Sequence, residues 1–201
     1  MLINPETAIQ NGWITHPECD TMDDWTERKF LGTNAIDFTI DDLHSIDAHT
    51  EFVISNDAKT MRGGSEQFVN SSLYWTLNAN TSYDGMSDMH VNVPEGVACE
   101  LIIRSSFNRN GIFLTAGVFD SGYSGAIGFA LHNMSGLASI RRGTRIGQIK
   151  FIQSNSNGVY AGGYNHLPGT HWSASIGAAT IANGHPSVTT DIKPQPNASQ
   201  E

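Results

Sequence analysis

The chain has 201 residues, of which 11 are Lys or Arg and 20 are Asp or Glu, giving a formal net charge of -9. A surface this acidic repels nucleic acid and anionic membranes over most of its area, so a phosphate-bearing ligand must be met in a local pocket where backbone N–H groups and a few arginines outweigh the global field. The length suffices for one domain with a core of its own, and 20 glycines with only 15% charged residues suit a turn-rich β fold better than a helical bundle.

In chain order, "NPETAIQNGWI" opens on an Asn-Pro step and predicts a short helix ending near Gly12. "CDTMDDWTERK" reads as an acidic, irregular surface loop. "NAIDFTIDDL" alternates apolar and polar residues at Ile36, Phe38 and Ile40, the period-two pattern of a half-buried strand. "SNDAKTMRGGSEQF" reads as a loop around Gly63 and Gly64. Six strand-like runs follow: "SLYWTL", "MHVNV", "VACELII", "GIFLTAGVF", "AIGFALHN" and "RIGQIKFI". The turn signals "VPEG", "RNG", "DSGYSG" and "RRG" separate them. Short strands at this spacing predict a mainly β domain, a sandwich or distorted barrel. The expected organisation is a single domain over 1–172, with an N-terminal helix and loop to residue 30 and a β core over 34–153. A Gly-rich arm over 158–172 and a flexible tail over 173–201 complete it.

Cys19 and Cys99 have neither a metal-ligand spacing nor a disulfide framework, and the eight histidines form no His-Glu-x-x-His cluster. No metal held directly by the protein is expected. No basic-then-apolar leader opens the chain and no apolar run is long enough to cross a bilayer, which predicts a soluble protein of the cytoplasm, a host's if the source is viral.

Three clusters carry potential chemistry. Arg104, Ser105, Ser106 and Arg109 follow a strand, and guanidinium forks pair bidentately with phosphate oxygens; the bland alternative is a solvated strand end. In "AGVFDSGYSG", Gly122 and Gly125 flank Tyr123 and suggest a tight hairpin with Asp120 at its mouth. A carboxylate there can orient and deprotonate a water, or merely cap the turn. In "RRGTRIGQIKF", Gln148 between Ile146 and Ile149 is an odd strand residue unless its amide meets a polar partner. Arg141, Arg142 and Arg145 bring positive charge, or form a solvated basic turn.

Together, "VPEGVACELIIRSS", "GIFLTAGVFDSGYSGAIGFALHNMSG" and "IRRGTRIGQIKF" resemble the core of the trimeric dUTPase and dCTP deaminase superfamily over residues 90–152. A Pro-Glu-Gly turn, an Arg-Ser-Ser motif, an Ala-Gly-x-x-Asp hairpin with an aromatic residue and a Gly-x-x-Ile-x-Gln strand occur in that order. "IQNGWI" and "GTNAIDFTIDDL" resemble the start of deaminase-type members. The resemblance implies a dUTPase-like β-clip fold. Deaminase-type members carry a proton-shuttling Glu where this chain has Ala130, and no Asp or Glu lies between Asp120 and the end of "GFALHNMSG". That favours the dUTPase branch.

On that branch the resemblance implies that dUTP is hydrolysed to dUMP and pyrophosphate. The loop from Gly117 to Gly125 would read the uracil edge, Tyr123 would pack on the deoxyribose, and Asp120 would hold the attacking water. Arg104, Ser105, Ser106 and Gln148 would hold the triphosphate, with Arg145 as a helper and Arg109 where deaminases keep an arginine. The implied cofactor is Mg²⁺ held by the phosphates, and the implied assembly is a homotrimer with sites between subunits. Gly162, Gly163 and Tyr164 echo the Gly-rich arm that closes over the triphosphate, without its arginine. Asp37 receives no catalytic role. The alternatives are a deaminase-type enzyme acting on dCTP, a relative that hydrolyses dCTP, a non-catalytic nucleotide-binding homologue, and a plain structural or capsid-associated β protein.

Overall fold

The computed structural model describes residues 1–46 and 73–161, together with the backbone of residues 64–67 and 69–71. Helix α1 (Pro5–Gln10) begins as its sequence predicts: the Asn4 side chain accepts from Glu6 N at 2.9 Å, Pro5 fills the first turn, and the helix stops before Gly12. A two-residue strand, β1 (Ile14–Thr15), follows.

The stretch expected to be an irregular loop instead holds helix α2 (Met22–Glu27). Thr21 and Asp24 form a reciprocal capping box. Thr21 Oγ1 accepts from Asp24 N at 3.3 Å, and the Asp24 carboxylate accepts from Thr21 N at 2.7 Å. These Thr21 hydrogen bonds hold the Asp24 carboxyl below its ordinary range. Trp25, 2% exposed, anchors the helix edge-on against Phe30. The acidic residues disguised a helix whose buried face is essentially one tryptophan.

The strands are β2 (Ile36–Phe38), β3 (Asp42–Ile46), β4 (Gly64–Gln67), β5 (Val69–Ser71), β6 (Tyr74–Leu77), β7 (Thr81–Asn92) and β8 (Val97–Ile103). The one-turn helix α3 (Ser105–Asn108) precedes β9 (Ile112–Thr115), β10 (Ser124–Asn133), β11 (Ala138–Arg141) and β12 (Gly147–Gln153). One sheet has the order β4-β3-β7-β10-β9, with β1 also paired to β7; the others are β11-β6-β5 and β2-β12-β8. The fold is mainly β, in separate sheets rather than a closed barrel. The core lies between them, around Phe38, Leu43, Trp75, Tyr83, Leu131 and Phe151.

Several boundaries differ from expectation. β2 is buried on both faces rather than half-buried, because Asp37 turns inward among hydrogen-bond donors. Gly64–Gln67, expected in a loop, pairs with β3, while Gly63 lies outside the described residues. The "GIFLTAGVF" run keeps only Ile112–Thr115 as a strand, and Phe119 then makes an isolated bridge to Cys99. Both cysteines are buried and free. The N-terminal segment is locked to β7 by His16, whose Nδ1 accepts from Glu18 N at 3.0 Å. Nε2 therefore carries the hydrogen and donates to Asp88 at 2.9 Å. Among the described residues no helix is long and apolar enough to cross a membrane.

Candidate active site

The β2-β12-β8 sheet gathers polar side chains at one end. In the antiparallel register Gln148 lies between Asp37 and Ile102, and Arg104 directly follows β8. Gln148 Nε2 donates to Asp37 Oδ1 at 2.8 Å; Arg145 Nη1 donates to Asp37 Oδ2 at 2.7 Å and to the Lys29 carbonyl at 2.7 Å. Arg104 Nη1 reaches the same Oδ2 at 3.4 Å. Three residues read from sequence as a triphosphate grip thus converge on Asp37, whose side chain is 7% exposed. Gln148 does meet a polar partner. The other two arginines of that stretch go elsewhere: Arg142 stacks 4.0 Å over the Trp75 ring and Arg141 is exposed on β11.

Ser105, Ser106 and Arg109 belong to α3 and its C-cap, and all three are exposed. After β8 the chain coils for one turn, with Arg109 N donating to Ser105 O at 3.0 Å.

Asp120 sits on the loop between β9 and β10. The loop is wider than the tight hairpin expected: β9 pairs with β10 only from Ala130 to Asn133, so residues 116–123 project beyond the ladder. Tyr123 N donates to Asp120 O at 3.0 Å, closing a turn with Gly122 at φ +83. A positive φ at this third position is the glycine requirement of a type II turn. Gly125 has no such requirement and lies within β10. The loop is tied to β8 by Ser121 Oγ donating to Val97 O at 2.6 Å and to the C-terminal segment by Tyr160 N donating to Ser121 O at 2.6 Å. Gly117 is on the open side, with nothing near enough to touch a Cβ.

Tyr123 is buried within the chain. Its hydroxyl donates to Ala126 O at 2.9 Å, and its ring lies edge-on to Phe119 and Tyr160 at 5.2 and 5.6 Å. Burial, with a smaller contribution from Tyr160, pushes its phenol up to about 12.

Asp120 opens into a cleft of about 420 Å³, lined also by Ala98, Ser121, Ser154, Asn157 and Tyr160. None of Arg104, Ser105, Ser106, Arg109, Arg145 or Gln148 lines it. The Cys99–Phe119 bridge places Asp120 opposite Ala98, six residues of extended strand, about 20 Å, from Arg104. The carboxylate and the arginine cluster therefore lie at opposite ends of β8 within one chain. Tyr164, with Gly162 and Gly163, lies outside the described residues.

On the outer face of the β7-β10-β9 ladder, Ala130 is in register with Asp84 on one side and Thr115 on the other. Two residues along, His132 bridges the strands: Nδ1 lies 2.8 Å from Ser82 Oγ and Nε2 lies 3.0 Å from Thr115 Oγ1. Sequence reasoning missed Asp37 as the anchor of the grip and His132 altogether. Asp37 had a signal, an acidic residue between two buried apolar ones; His132 had none beyond its place two residues from Ala130.

Fold and site together define a member of the dUTPase and dCTP deaminase superfamily. The chain belongs to the dCTP deaminase-like family, whose model matches residues 21–154. A dUMP-forming dCTP deaminase of Bifidobacterium animalis subsp. lactis (strain AD011) is 28% identical over 161 residues, covering 78% of this chain and 82% of that protein. A probable deoxyuridine 5'-triphosphate nucleotidohydrolase of Methanothermobacter thermautotrophicus is 30% identical over 91 residues, 45% of this chain and 61% of that protein. The crystal structure of a 2'-deoxycytidine 5'-triphosphate deaminase from Agrobacterium tumefaciens shares the fold, with a TM-score of 0.55 at 12% identity. It matches over 75% of this chain, which spans about half of the deaminase chain (47%).

Proposed function

We propose that the protein is a dUTP diphosphatase, converting dUTP and water to dUMP and pyrophosphate in a homotrimer whose sites lie between subunits. The observation that carries this reading is the convergence of Arg104 from one part of the chain and of Arg145 and Gln148 from another on one sheet end. Two guanidiniums around one carboxylate leave a net positive site in an acidic protein, which suits a polyanion. Arg104, at 3.4 Å from Asp37 and 35% exposed, is the looser member and the one free to turn to a phosphate.

Ala130 chooses the bond broken. A methyl group moves no proton, so position 130, where deaminase-type members carry their proton-shuttling Glu, cannot serve ammonia release here. Asp120 accepts a hydrogen bond from water and takes its proton as the oxygen attacks the α-phosphorus; the bond to the bridging oxygen breaks and pyrophosphate leaves. Ser105 and Ser106 on α3 complete the phosphate contacts, and the open backbone around Gly117 reads the base. Tyr123 backs the loop, and Arg109 and Tyr164 are held as substrate-binding residues. Asp120 and the grip are far apart in one chain, so a second copy supplies the other half of each site.

Among the described residues no group of three or more His, Cys, Asp or Glu side chains is placed to hold a metal ion, and both Asp37 oxygens are already engaged. Asp37 is thus not available as a ligand, and a Mg²⁺ ion would be carried by the substrate phosphates, where it would neutralise charge on the transferring group.

Incubation with dUTP and with dCTP in the presence of Mg²⁺, with pyrophosphate and ammonia assayed separately, tests the reading. Pyrophosphate from dUTP without ammonia from dCTP is expected; ammonia from dCTP overturns it. Asp120→Asn should slow turnover by about 100-fold or more while nucleotide affinity stays within about threefold. Equal loss of binding would make Asp120 structural.

A second reading, a dUMP-forming dCTP deaminase, is favoured by the identity to the Bifidobacterium protein over 78% of the chain. It requires a proton carrier other than residue 130, and the ammonia assay decides it.

A further inference from the structure

We propose that Thr115, with its hydroxyl polarity set by His132, is the contact that discriminates position 4 of the pyrimidine ring. The proposal rests on the nucleotide reading above. Thr115 is the last residue of β9, exposed, and the next residue begins the loop that carries Gly117 and Asp120. It shares a register row with Ala130, whose small side chain is half-buried there. His132 belongs to the next row, with Ser82 and Phe113, and its ring leans from that row into the Thr115 row.

Both ring nitrogens meet a hydroxyl that can donate or accept. A neutral imidazole carries one N–H. With the hydrogen on Nε2, the ring donates to Thr115, and the Thr115 hydrogen is left to donate outward. With the hydrogen on Nδ1, the ring donates to Ser82 and accepts from Thr115, which then offers only lone pairs outward. Protonation places hydrogens on both nitrogens and removes the acceptor-only state, so Thr115 always keeps a hydrogen to donate outward beside one spare lone pair. Position 4 of uracil is a carbonyl, an acceptor; position 4 of cytosine is an amino group, a donor. Protonation of His132 therefore shifts the preference towards uracil, because the state that offers the uracil carbonyl no hydrogen is lost.

Among the described residues, the titratable and charged groups packed on this face are Asp84 of β7, buried opposite Ala130, and, one strand further, His44 of β3, which lies 3.0 Å from Asp42. From β9 the ring faces only Thr115 and Phe113, neither of them charged at these pH values.

The test measures the affinities of non-hydrolysable dUTP and dCTP analogues by calorimetry between pH 5.5 and 8.5, for wild type, Thr115→Val, Thr115→Ser and His132→Gln. In the wild type the preference for the uracil analogue should rise about tenfold as the pH falls, the scale of one mismatched polar contact. Thr115→Val should flatten and reduce it, Thr115→Ser should retain it, and His132→Gln, which still bridges two hydroxyls but does not titrate, should remove the pH dependence. A role confined to holding β7 and β9 together would shift melting temperatures and leave the ratio unchanged. A wild-type preference that is independent of pH, or one unaltered in Thr115→Val, overturns the proposal while leaving the nucleotide reading intact. Failure of both analogues to bind overturns the reading itself, and the proposal with it.

Discussion

Asp37→Ala leaves Arg104, Arg145 and Gln148 facing one another without the anion that now separates them. The carboxylate is 7% exposed and accepts at 2.7 and 2.8 Å from Arg145 and Gln148. Removing one member of a fully buried pair costs about 3–5 kcal/mol. The Arg145 and Arg104 side chains are 29% and 35% exposed, so water recovers part of that loss, and a net destabilisation of about 2–3 kcal/mol is expected. Asp37→Asn should cost about 1–2 kcal/mol, because the amide nitrogen cannot accept and turns its hydrogens towards the donors on its side. Urea unfolding measures both. A double-mutant cycle of Asp37→Ala with Arg145→Ala should return a coupling of at least about 1 kcal/mol. Pyrophosphate affinity should fall about tenfold in Asp37→Ala, since the guanidiniums lose their shared orientation. A change below about 0.5 kcal/mol with no coupling would show that the carboxylate does not hold the cluster, whatever its distances.

Gly122→Ala places a Cβ 2.9 Å from that of Val159 and 3.2 Å from Tyr160 N, at a φ of +83. A loss of about 1–3 kcal/mol is expected, with faster amide exchange at Tyr160; unchanged exchange would refute the clamp between loop and C-terminal segment. Tyr123 should make the protein sensitive to alkali. Its folded value of about 12 stands above the ordinary value of about 10, so the neutral phenol is favoured in the fold. That contribution is complete below pH ~10 and is lost as pH rises towards ~12. Tyr123→Phe should remove this step from an alkaline unfolding curve, and a step of unchanged size would assign it elsewhere. Asn133 is 0% exposed, and its amide donates to the carbonyls of Leu77, Asn78 and Gly136 at 3.1, 2.9 and 2.8 Å. Asn133→Ala should cost about 2–4 kcal/mol in urea unfolding, because three acceptors lose their donor at once; a loss below about 1 kcal/mol would mean that water replaces it.

What the sequence revealed and concealed follows from the range of each interaction. Helix α1, β8 and β12 were legible because their signals are local: a capping Asn before Pro5, and apolar-rich or alternating runs bounded by turns. Helix α2 was hidden because its capping box uses Asp24 in place of the usual Glu and Trp25 is its one buried residue. Much of β7 escaped because Asp84, Gly85 and Ser87 look like loop residues. The strand needs the glycine: a Cβ on Gly85 would lie 2.5 Å from the Phe129 ring. At the site, the residue types of the proposed phosphate grip were legible, and Asp37, on which they converge, was not. Asp37 meets its partners across 67, 108 and 111 residues, a range over which local pattern carries no information.

Proximity in sequence misled in the opposite sense. Arg104 and Asp120 are near neighbours along the chain and look like two walls of one pocket. The bridge between Cys99 and Phe119 sends the loop back along β8, so that Asp120 ends beside Ala98 while Arg104 caps the far end of the strand. Six residues of strand then separate them, about 20 Å, and no side-chain rotation closes that gap. If both act on one phosphate chain, they do so from different copies of the protein. Mixing an Asp120→Asn subunit with an Arg104→Ala subunit should therefore restore part of the activity that neither retains alone. No recovery after co-refolding, from two variants that each assemble, would place both groups on one chain's substrate and contradict the geometry.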